Sequence, residues 1–359
     1  MRKIGNDILN VVKNLKVFLL IIIIGTLTAC DVHEWPNTPE SVKVHLLLNY
    51  ETEMTEWEHL YEDASITEVG YGETYDNQQG YGQMRTIVRA YPVVDGQRSS
   101  MDYTKEFIFT QNIGQGYNHE VSFELPAGNY NIGIWSDLVD SDENSYFYNA
   151  ANFAEIVLQG EYKANTDHRD AFRGSGNIQL VSDIMESVPE ALEIKMQRPL
   201  AKYEFITTDL QEFIEKEIEF LKMEAASRGE IPPTRVNTDE YKVVFYYSGY
   251  MPNAYNMNSD RPVDSTMGVL FNSELNILSD NEASMGFDYV FVGNQKSAVT
   301  MQIGFYDKEG RQVALTNPLN IPLQRSCHSI LKGSFLMKKA SGGITINPDF
   351  DGNHNVEIE

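Results

Sequence analysis

The stretch SVKVHLLLNY, residues Ser41–Tyr50, decides the fold. It begins with alternating polar and apolar side chains and then becomes a short apolar run, the pattern of a half-buried β-strand. Similar patterns recur at short intervals, for example at 83–94, 119–125 and 130–136. Turn residues rather than long helical patterns separate them, so the sequence predicts antiparallel β-sandwiches and not a parallel α/β sheet.

The length of 359 residues exceeds one typical hydrophobic core and predicts two tandem domains. We place an N-terminal sandwich at 41–188 and a C-terminal sandwich at 189–359. The segment 191–206 alternates, and we expect one long strand bent at Pro199. The fold class that follows is mostly β, with two tandem sandwiches.

One amphipathic helix is predicted over 208–228, inserted in the second sandwich. Thr208 and Gln211 fit a capping box, and Arg228-Gly229 followed by two prolines fits a helix end. Six apolar residues fall largely on one stripe: Leu210, Phe213, Ile214, Ile218, Leu221 and Met223. We expect this stripe to cover one end of the second sandwich and to plug its core.

The first 29 residues have the features of a signal peptide. An apolar run at 17–24 follows four basic residues, and it is far shorter than the roughly 20 residues that span a bilayer. The tetrad Leu27-Thr28-Ala29-Cys30 resembles the lipobox of bacterial lipoproteins, which implies cleavage after Ala29 and acylation of Cys30. The alternative is a secretory signal without lipid. Residues 30–40 would form a polar tether.

Charge narrows the range of partners. The formal net charge of −24 repels phosphate backbones and anionic lipid, so the sequence predicts no nucleic-acid binding. Acyl chains on Cys30 are then the expected membrane contact. Besides Cys30 the sequence contains one cysteine, Cys327, for which we favour a packed thiol over a nucleophile because no Gly-rich elbow or matched Asp or Asn lies near it.

Catalytic and cofactor motifs are absent from the sequence. The seven histidines form no HExxH spacing, and there is no P-loop, dinucleotide fingerprint or GxSxG motif. We therefore expect a protein that is not an enzyme and needs no cofactor. A hydrolase that uses Asp137 and Asp142 stays open as an alternative, and it requires two carboxyls about 5–10 Å apart in a cleft.

Two acidic segments are weak calcium candidates. Residues 347–352 match the first half of an EF-hand loop, but Ile358 occupies the twelfth position, so we favour a hairpin turn. A denser cluster, for which we favour a solvated turn, comprises Asp137, Asp140, Asp142 and Glu143.

Aromatic residues are concentrated in the long segment 51–82, which we expect to be a loop. They are Trp57, Tyr61, Tyr71, Tyr75 and Tyr81. Aromatic rings on a loop can stack on sugars or anchor a partner, so a ligand site here is one hypothesis. Rings that fold back over a sheet are the alternative.

Several strings in the second half carry a family resemblance: RPLAKYEFITTDL (198–210), YSGYMPNAYNM (247–257), RPVDS (261–265), GFDYVFVGN (286–294) and 331–358. The sequence resembles fimbrillin-like surface lipoproteins, a group with uncharacterised domains associated with the anchor and minor subunits of type V pili. An Asn before His328 would fit the group better than Cys327 does.

The resemblance implies two transthyretin-like or immunoglobulin-like sandwiches and export to the outer membrane with exposure at the cell surface. Asp31 and Glu34 are similar to surface-export signals in these bacteria. It further implies a role as fimbrial anchor, accessory subunit or adhesin. The implied partners are pilin subunits, joined by strand addition, or host and bacterial surface ligands. A glycan-binding lipoprotein that uses the aromatics of 51–82 is the runner-up hypothesis.

One feature of the sequence separates this chain from shaft pilins, in which the resemblance implies that an Arg-specific protease removes the first strand. Between Lys43 and Arg85 there is no Lys or Arg. Such a cut is therefore impossible within this interval, which holds most of the first strand. We hypothesise that the chain keeps both its first strand and its lipid.

Overall fold

A computed structural model describes residues 41–60, 66–72, 83–94, 96–98, 103, 105–112, 119–138, 146–181 and 191–337. The strands of the first part are β1 (Ser41–Tyr50), β2 (Thr55–Leu60), β3 (Ile66–Gly72), β4 (Gln83–Val94), β5 (Gln97–Arg98), β6 (Lys105–Asn112), β7 (His119–Pro126), β8 (Gly128–Leu138), β9 (Tyr148–Asn149), β10 (Ile156–Leu158) and β11 (Ala171–Leu180).

The described residues contain one α-helix, α1 (Leu210–Arg228), and two short 3₁₀ helices, Asp167–Arg169 and Thr238–Glu240; all but Asp167–Arg169 lie in the second part. Its strands are β12 (Leu192–Met196), β13 (Leu200–Thr207), β14 (Lys242–Tyr247), β15 (Met251–Asn256), β16 (Arg261–Thr266), β17 (Leu270–Ser273), β18 (Asn276–Ile277), β19 (Ala283–Phe291), β20 (Ser297–Tyr306), β21 (Gln312–Leu315), β22 (Leu319–Leu323) and β23 (Cys327–Gly333).

The first sandwich packs a three-stranded sheet, ordered β12-β1-β7, against a sheet ordered β11-β8-β4, in which β5 and β6 also pair with β4. The alternation of β1 is realised directly, since Val44, Leu46 and Leu48 are at most 1% exposed and lie in the core. At one margin Phe107 of β6 stacks on Phe123 of β7, with ring centroids 4.4 Å apart. The core of the first sandwich therefore contains the side chains that the two-residue alternation of β1 places on one face of the strand.

At the opposite margin of the first sandwich, two glycines of β11 allow close packing against β12. A Cβ atom on Gly174 would lie 2.5 Å from Met196 Sδ and 2.8 Å from Ile194 Cγ2. A Cβ on Gly176 would lie 2.5 Å from Ile194 Cδ1. Distances this short are below van der Waals contact, so a Cβ at either position would displace these side chains, and the two glycines allow the close approach of the sheets.

The second sandwich packs a sheet ordered β18-β19-β13-β23-β2-β3 against a sheet ordered β17-β14-β20-β21, in which β22 also pairs with β20. Its core is rich in aromatic side chains, and Phe245 and Phe271 stack with centroids 4.5 Å apart. Leu210 and Phe213 of α1 are 1% exposed and belong to the same core. The helix thus contributes its first turn to the core, but the predicted stripe is wrong at its far end, because Met223 is 67% exposed and Ala225 is buried instead.

A four-stranded sheet, ordered β16-β15-β10-β9, joins the two sandwiches. A third apolar cluster contains Tyr255 of this sheet, Ile87 and Trp135 of the first sandwich, and Leu200 and Phe291 of the second. These residues come from the faces of β4, β8, β13 and β19 that point away from the two sandwich cores. A continuous hydrophobic contact therefore connects both halves of the chain.

The predicted fold class is confirmed: the protein is mostly β, with several antiparallel sheets and, among the residues that the structure describes, one α-helix. Three parallel pairs accompany the antiparallel ones, namely β1 with β12, β13 with β23, and β2 with β23. The domain limits at 41–188 and 189–359 stay a prediction. Strand β12 lies beyond the first of these ranges and pairs with β1, and β10 pairs with β15.

The single bent strand predicted over 191–206 is wrong. Two strands occupy this segment, and they belong to different sandwiches: β12 pairs with β1, and β13 pairs with β19 and β23. Pro199 has no N–H to continue a ladder, and the side chain of Arg198 is fully buried between the two strands. The chain thus crosses from one sandwich to the other at 197–199.

The capping box predicted at Thr208 and Gln211 is also wrong. Asp209 is the N-cap residue of α1, and its side chain makes no capping bond. Its carboxylate instead accepts from the backbone N–H of Met337 at 3.0 Å and of Leu336 at 3.3 Å. The predicted end is confirmed, because Gly229 adopts the left-handed conformation with φ of 71°.

Candidate functional site

The first strand lies in the middle of its sheet. Residues 41–48 of β1 pair with β7, and residues 46–50 pair with β12. Backbone pairing therefore holds both edges of the strand over residues 46–48, and the apolar side chains hold its core face. Removing β1 would expose the buried residues of β8 and β11, including Ile132 and Phe172, to water.

Arg198 fixes the chain where it leaves β1. Its guanidinium donates to three successive carbonyl oxygens, of Glu51 at 2.9 Å, Thr52 at 2.7 Å and Glu53 at 3.1 Å. Its Nε donates to both carboxylate oxygens of Asp170, at 3.0 and 2.8 Å, and both side chains have zero exposure. One buried cation thus satisfies the irregular backbone between the first strand and β2.

Arg85 is the first basic residue after Lys43, and β4 holds it in an ordered strand. The backbone of β4 pairs with β6 on one side and β8 on the other. The Arg85 guanidinium binds Asp137 through two hydrogen bonds of 2.9 and 2.5 Å and lies 3.7 Å from the centre of the Tyr146 ring. A protease requires an extended chain segment released from its sheet, so this arginine is a poor cleavage site.

Asp137 is a calcium and hydrolase candidate that the structure places inside the protein. It is 1% exposed, and besides Arg85 its carboxylate accepts from Trp135 Nε1 at 3.1 Å. Burial raises the pKa of Asp137, and Arg85 opposes that rise. The other members of its cluster, Asp140, Asp142 and Glu143, lie outside the described residues, as does the 347–352 loop. The calcium and hydrolase hypotheses therefore stay predictions.

The segment 51–82 is not the loop expected from its composition, because β2 and β3 form within it. Trp57 lies on β2, opposite Glu68 in β3 and beside Ser329 in β23. Tyr71 lies on β3. Tyr61, Tyr75 and Tyr81, like Ala29, Cys30 and the tether at 30–40, lie outside the described residues. The ligand site of these five aromatics stays a prediction.

A second buried charge pair joins a loop of the first half to the second sandwich. Arg169 is 2% exposed and donates to Asp288, which is 1% exposed. Asp288 also accepts from the hydroxyls of Tyr162 and Tyr247, the latter at 2.8 Å. Burial raises the pKa of Tyr247 well above its usual value, so this hydroxyl stays protonated and donates. The 159–170 loop is thereby fixed to β19.

An open cleft of about 700 Å³ lies at the edge of the second sandwich. Its lining comes from the 159–170 loop, the turn before β14, β13, β17 to β19, and the turn after β20. Because these segments are far apart in the sequence, no motif marks them, and residue patterns missed the cleft entirely. The feature that could have pointed to it is the cluster of amides at Asn272 and Asn276, which lie on both sides of the acidic Glu274.

Glu204 lies in the cleft beside a buried histidine. Ser284 donates to one of its carboxylate oxygens at 2.5 Å, and His328 Nε2 lies 3.3 Å from the other. Burial acts to raise the pKa of Glu204, but His328 and Ser284 outweigh it and hold this pKa below its usual range. The neighbouring Cys327 is 4% exposed and buried, as expected for a packed thiol.

The pKa of Glu204 predicts a pH dependence of stability. A carboxyl whose folded pKa lies below its unfolded value of 4.5 stabilises the fold above about pH 4.5, and this contribution is lost as the pH falls through the folded pKa. We expect Glu204→Gln to cost about 2 kcal/mol at pH 7, as for one charge-assisted hydrogen bond, and less at pH 3. Urea unfolding at both pH values measures this, and an equal cost at both contradicts it.

The part of the chain that the structure describes contains neither a metal-binding cluster nor a membrane-spanning helix. No group of three or more His, Cys, Asp or Glu side chains there is arranged to hold a metal ion. No helix within the same residues is both long and apolar enough to cross a bilayer.

These features define a β-sandwich protein with two sandwiches, a joining sheet and a polar surface cleft. The chain belongs to the family of unknown function DUF6562, whose model matches residues 38–359. The comparison with curated proteins found no match.

Solved structures that the chain matches include a fimbrial assembly protein from Parabacteroides distasonis, with 9% identity, a TM-score of 0.38, and coverage of 85% of this chain and 94% of that one. The fimbrial anchor protein Mfa2 from Porphyromonas gingivalis has 10% identity, a TM-score of 0.36 and coverage of 76% and 82%. The tip fimbrial protein Mfa3 from the same bacterium, with a C-terminal truncation, has 10% identity and a TM-score of 0.33, and the match covers 78% of this chain and 81% of that one. These proteins are of the group that the sequence resembles.

Proposed function

We propose that this chain is a lipid-anchored, non-catalytic fimbrillin-like protein of the outer membrane, displayed at the cell surface as a fimbrial anchor or accessory subunit. The observation that carries the proposal is the position of β1, which pairs with β7 on one side and β12 on the other. A subunit that keeps this strand has no groove between β7 and β12 to receive the strand of a neighbour. It can end or attach a fibre rather than extend it.

Two further observations support retention of the first strand. The linker after β1 is bound by Arg198 through three carbonyl oxygens. Arg85, the first arginine after the strand, is ion-paired with Asp137, and its side chain is 16% exposed. By contrast Arg228 and Arg235 are exposed at the end of α1 and in the segment that follows. An Arg-specific protease would meet these residues first.

The lipobox resemblance supports the anchor itself. If Cys30 is acylated, it is joined to β1 by ten residues, which in extended form reach at most about 35 Å. The first sandwich would then stay close to the membrane. Proposed partners are pilin subunits that add a strand at an open sheet edge, or ligands on other cell surfaces.

The proposal is tested by expressing the full chain in a bacterium that processes lipoproteins and feeding it an alkyne-bearing palmitate analogue. We expect label on the wild type and none on Cys30→Ser, because Cys30 supplies the acylated thiol. Cys327→Ser is the matched control and should keep the label, since Cys327 is buried. Mass spectrometry of the surface protein should find Cys30 at its N-terminus. A lipid-free surface protein that begins at Thr86 or later would overturn the proposal.

A further inference from the structure

The cleft beside β18 and β19 has the size of a small-molecule site. Its volume of about 700 Å³ lies within the range of roughly 300–1,000 Å³ that is usual for such sites. It opens between edge strand β17 of one sheet and edge strand β18 of the facing sheet. The two sheets of the second sandwich therefore separate here without a strand to cover the gap between them.

One end of the cleft is fixed by unusually close packing. Asn165, with φ of 55°, accepts from the backbone N–H of Phe287 at 2.8 Å and donates to the carbonyl of Asn272 at 3.3 Å. A Cβ atom on Gly286 would lie 2.7 Å from Asn165 Oδ1 and 2.8 Å from the Ser273 hydroxyl. The side chain of Asn165 thus bridges β19 and β17, which belong to the two facing sheets, and fixes their separation at this end of the cleft.

Most charges of the cleft already have partners within the protein. Glu240 pairs with Lys308 at 2.7 Å, and Asp307 pairs with Arg311 at 2.7 Å. Glu204 is held by Ser284, as described above. Beside these pairs the cleft offers the amides of Asn272 and Asn276, the Ser273 hydroxyl, and the half-buried ring of Phe287. The Ser273 hydroxyl donates to the Glu274 carbonyl at 3.3 Å and keeps its acceptor capacity, and Lys202 Nζ lies 4.4 Å from the centre of the Phe287 ring.

A ligand for this surface needs many hydrogen-bonding groups that both donate and accept, an apolar face, and little charge. Sugars meet all three requirements, because each hydroxyl donates and accepts and the C–H face of a pyranose packs on a ring such as that of Phe287. An anionic glycan is disfavoured by the protein's net charge of −24 and by the carboxylates of Asp239 and Glu274, which outnumber Lys242 among the other charged residues of the lining.

We propose that this cleft binds a neutral saccharide, with Asn272, Asn276 and Ser273 as hydrogen-bonding groups and Phe287 as the apolar platform. The site lies in the second sandwich and is independent of Cys30 and of the aromatics of 51–82. Its failure would therefore leave the proposed anchor function untouched, and failure of lipid labelling would leave the saccharide site untouched.

The test is binding of the full chain to an array of neutral oligosaccharides of glucose, mannose, galactose and N-acetylhexosamines, followed by calorimetry with each sugar that binds. Sialylated and uronic-acid glycans and a hexalysine peptide serve as comparison probes. We expect binding to a neutral glycan, and binding about tenfold weaker in Asn272→Ala/Asn276→Ala, as for the loss of two neutral hydrogen bonds.

Asn258→Ala provides the matched control, because Asn258 is an exposed amide in a turn that does not line the cleft. It should bind as the wild type does, and thermal unfolding should show that all variants fold. Three results would each overturn the proposal: no neutral glycan binds, the double variant binds as tightly as the wild type, or acidic glycans or hexalysine bind in preference.

Discussion

Replacing Arg198 by Leu is expected to destabilise the protein by about 3–5 kcal/mol, the usual cost of removing one partner of a buried ion pair. The substitution leaves the carboxylate of Asp170 without its cation in a site of zero exposure. It also leaves the carbonyls of Glu51, Thr52 and Glu53 without the donor that binds them. Guanidinium unfolding followed by tryptophan fluorescence measures the change, since Trp135 is fully buried.

Two companion variants separate charge from geometry at this position. Arg198→Lys keeps the positive charge but lacks the planar fork that reaches several acceptors at once, so it should recover only part of the lost stability. Arg228→Leu removes an exposed arginine that pairs with Glu224 four residues earlier on α1. Such surface pairs contribute about 0.3–0.5 kcal/mol. A cost for Arg198→Leu as small as that of Arg228→Leu would show that the buried pair does not hold the linker.

Asp288→Asn is expected to have a similar effect, about 3–5 kcal/mol, because Arg169 would then be a buried cation without its counter-charge. The hydroxyls of Tyr162 and Tyr247 would also lose a charged acceptor. The change should detach the 159–170 loop from β19 and weaken contact between the two sandwiches. Hydrogen exchange should therefore accelerate in this loop as well as in β19.

A double-variant cycle decides whether the ion pair is the cause. Adding Arg169→Met to Asp288→Asn removes the uncompensated charge, so the double variant should be more stable than the sum of the two single effects predicts. Asp280→Asn is the control, since Asp280 is exposed on the turn before β19. Additive costs in the cycle would contradict the assigned role of the pair.

Local sequence patterns were sufficient to predict elements that depend on neighbouring residues alone. The period of two in β1 and the left-handed Gly229 after α1 each follow from the residues at those positions. Sequence patterns did not reveal β2 and β3, because Gly, Tyr and acidic residues there resemble a loop and the pairing partner of β2 is β23, about 270 residues away. Strand partners at such separations are set by the whole core.

Sequence patterns also did not predict which charged residues are buried. Arg198 and Asp288 look like ordinary polar residues in their strings, and only the folded chain shows that each is almost fully enclosed. Sequence patterns could not predict the cleft for the same reason. Asn165 and Asp307 both line it, although 142 positions separate them in the sequence. Residue patterns describe what a segment can do alone, and these sites arise where distant segments converge.

The pairing of β1 on both sides determines how the protein would bear mechanical load. If the chain is held at Cys30 and pulled at its far end, force enters through Ser41 and runs along the axis of the strand. The hydrogen bonds to β7 and β12 lie across that axis, so they must yield together in shear rather than one at a time as in unzipping. The first strand would then carry the tension between the membrane and the fibre.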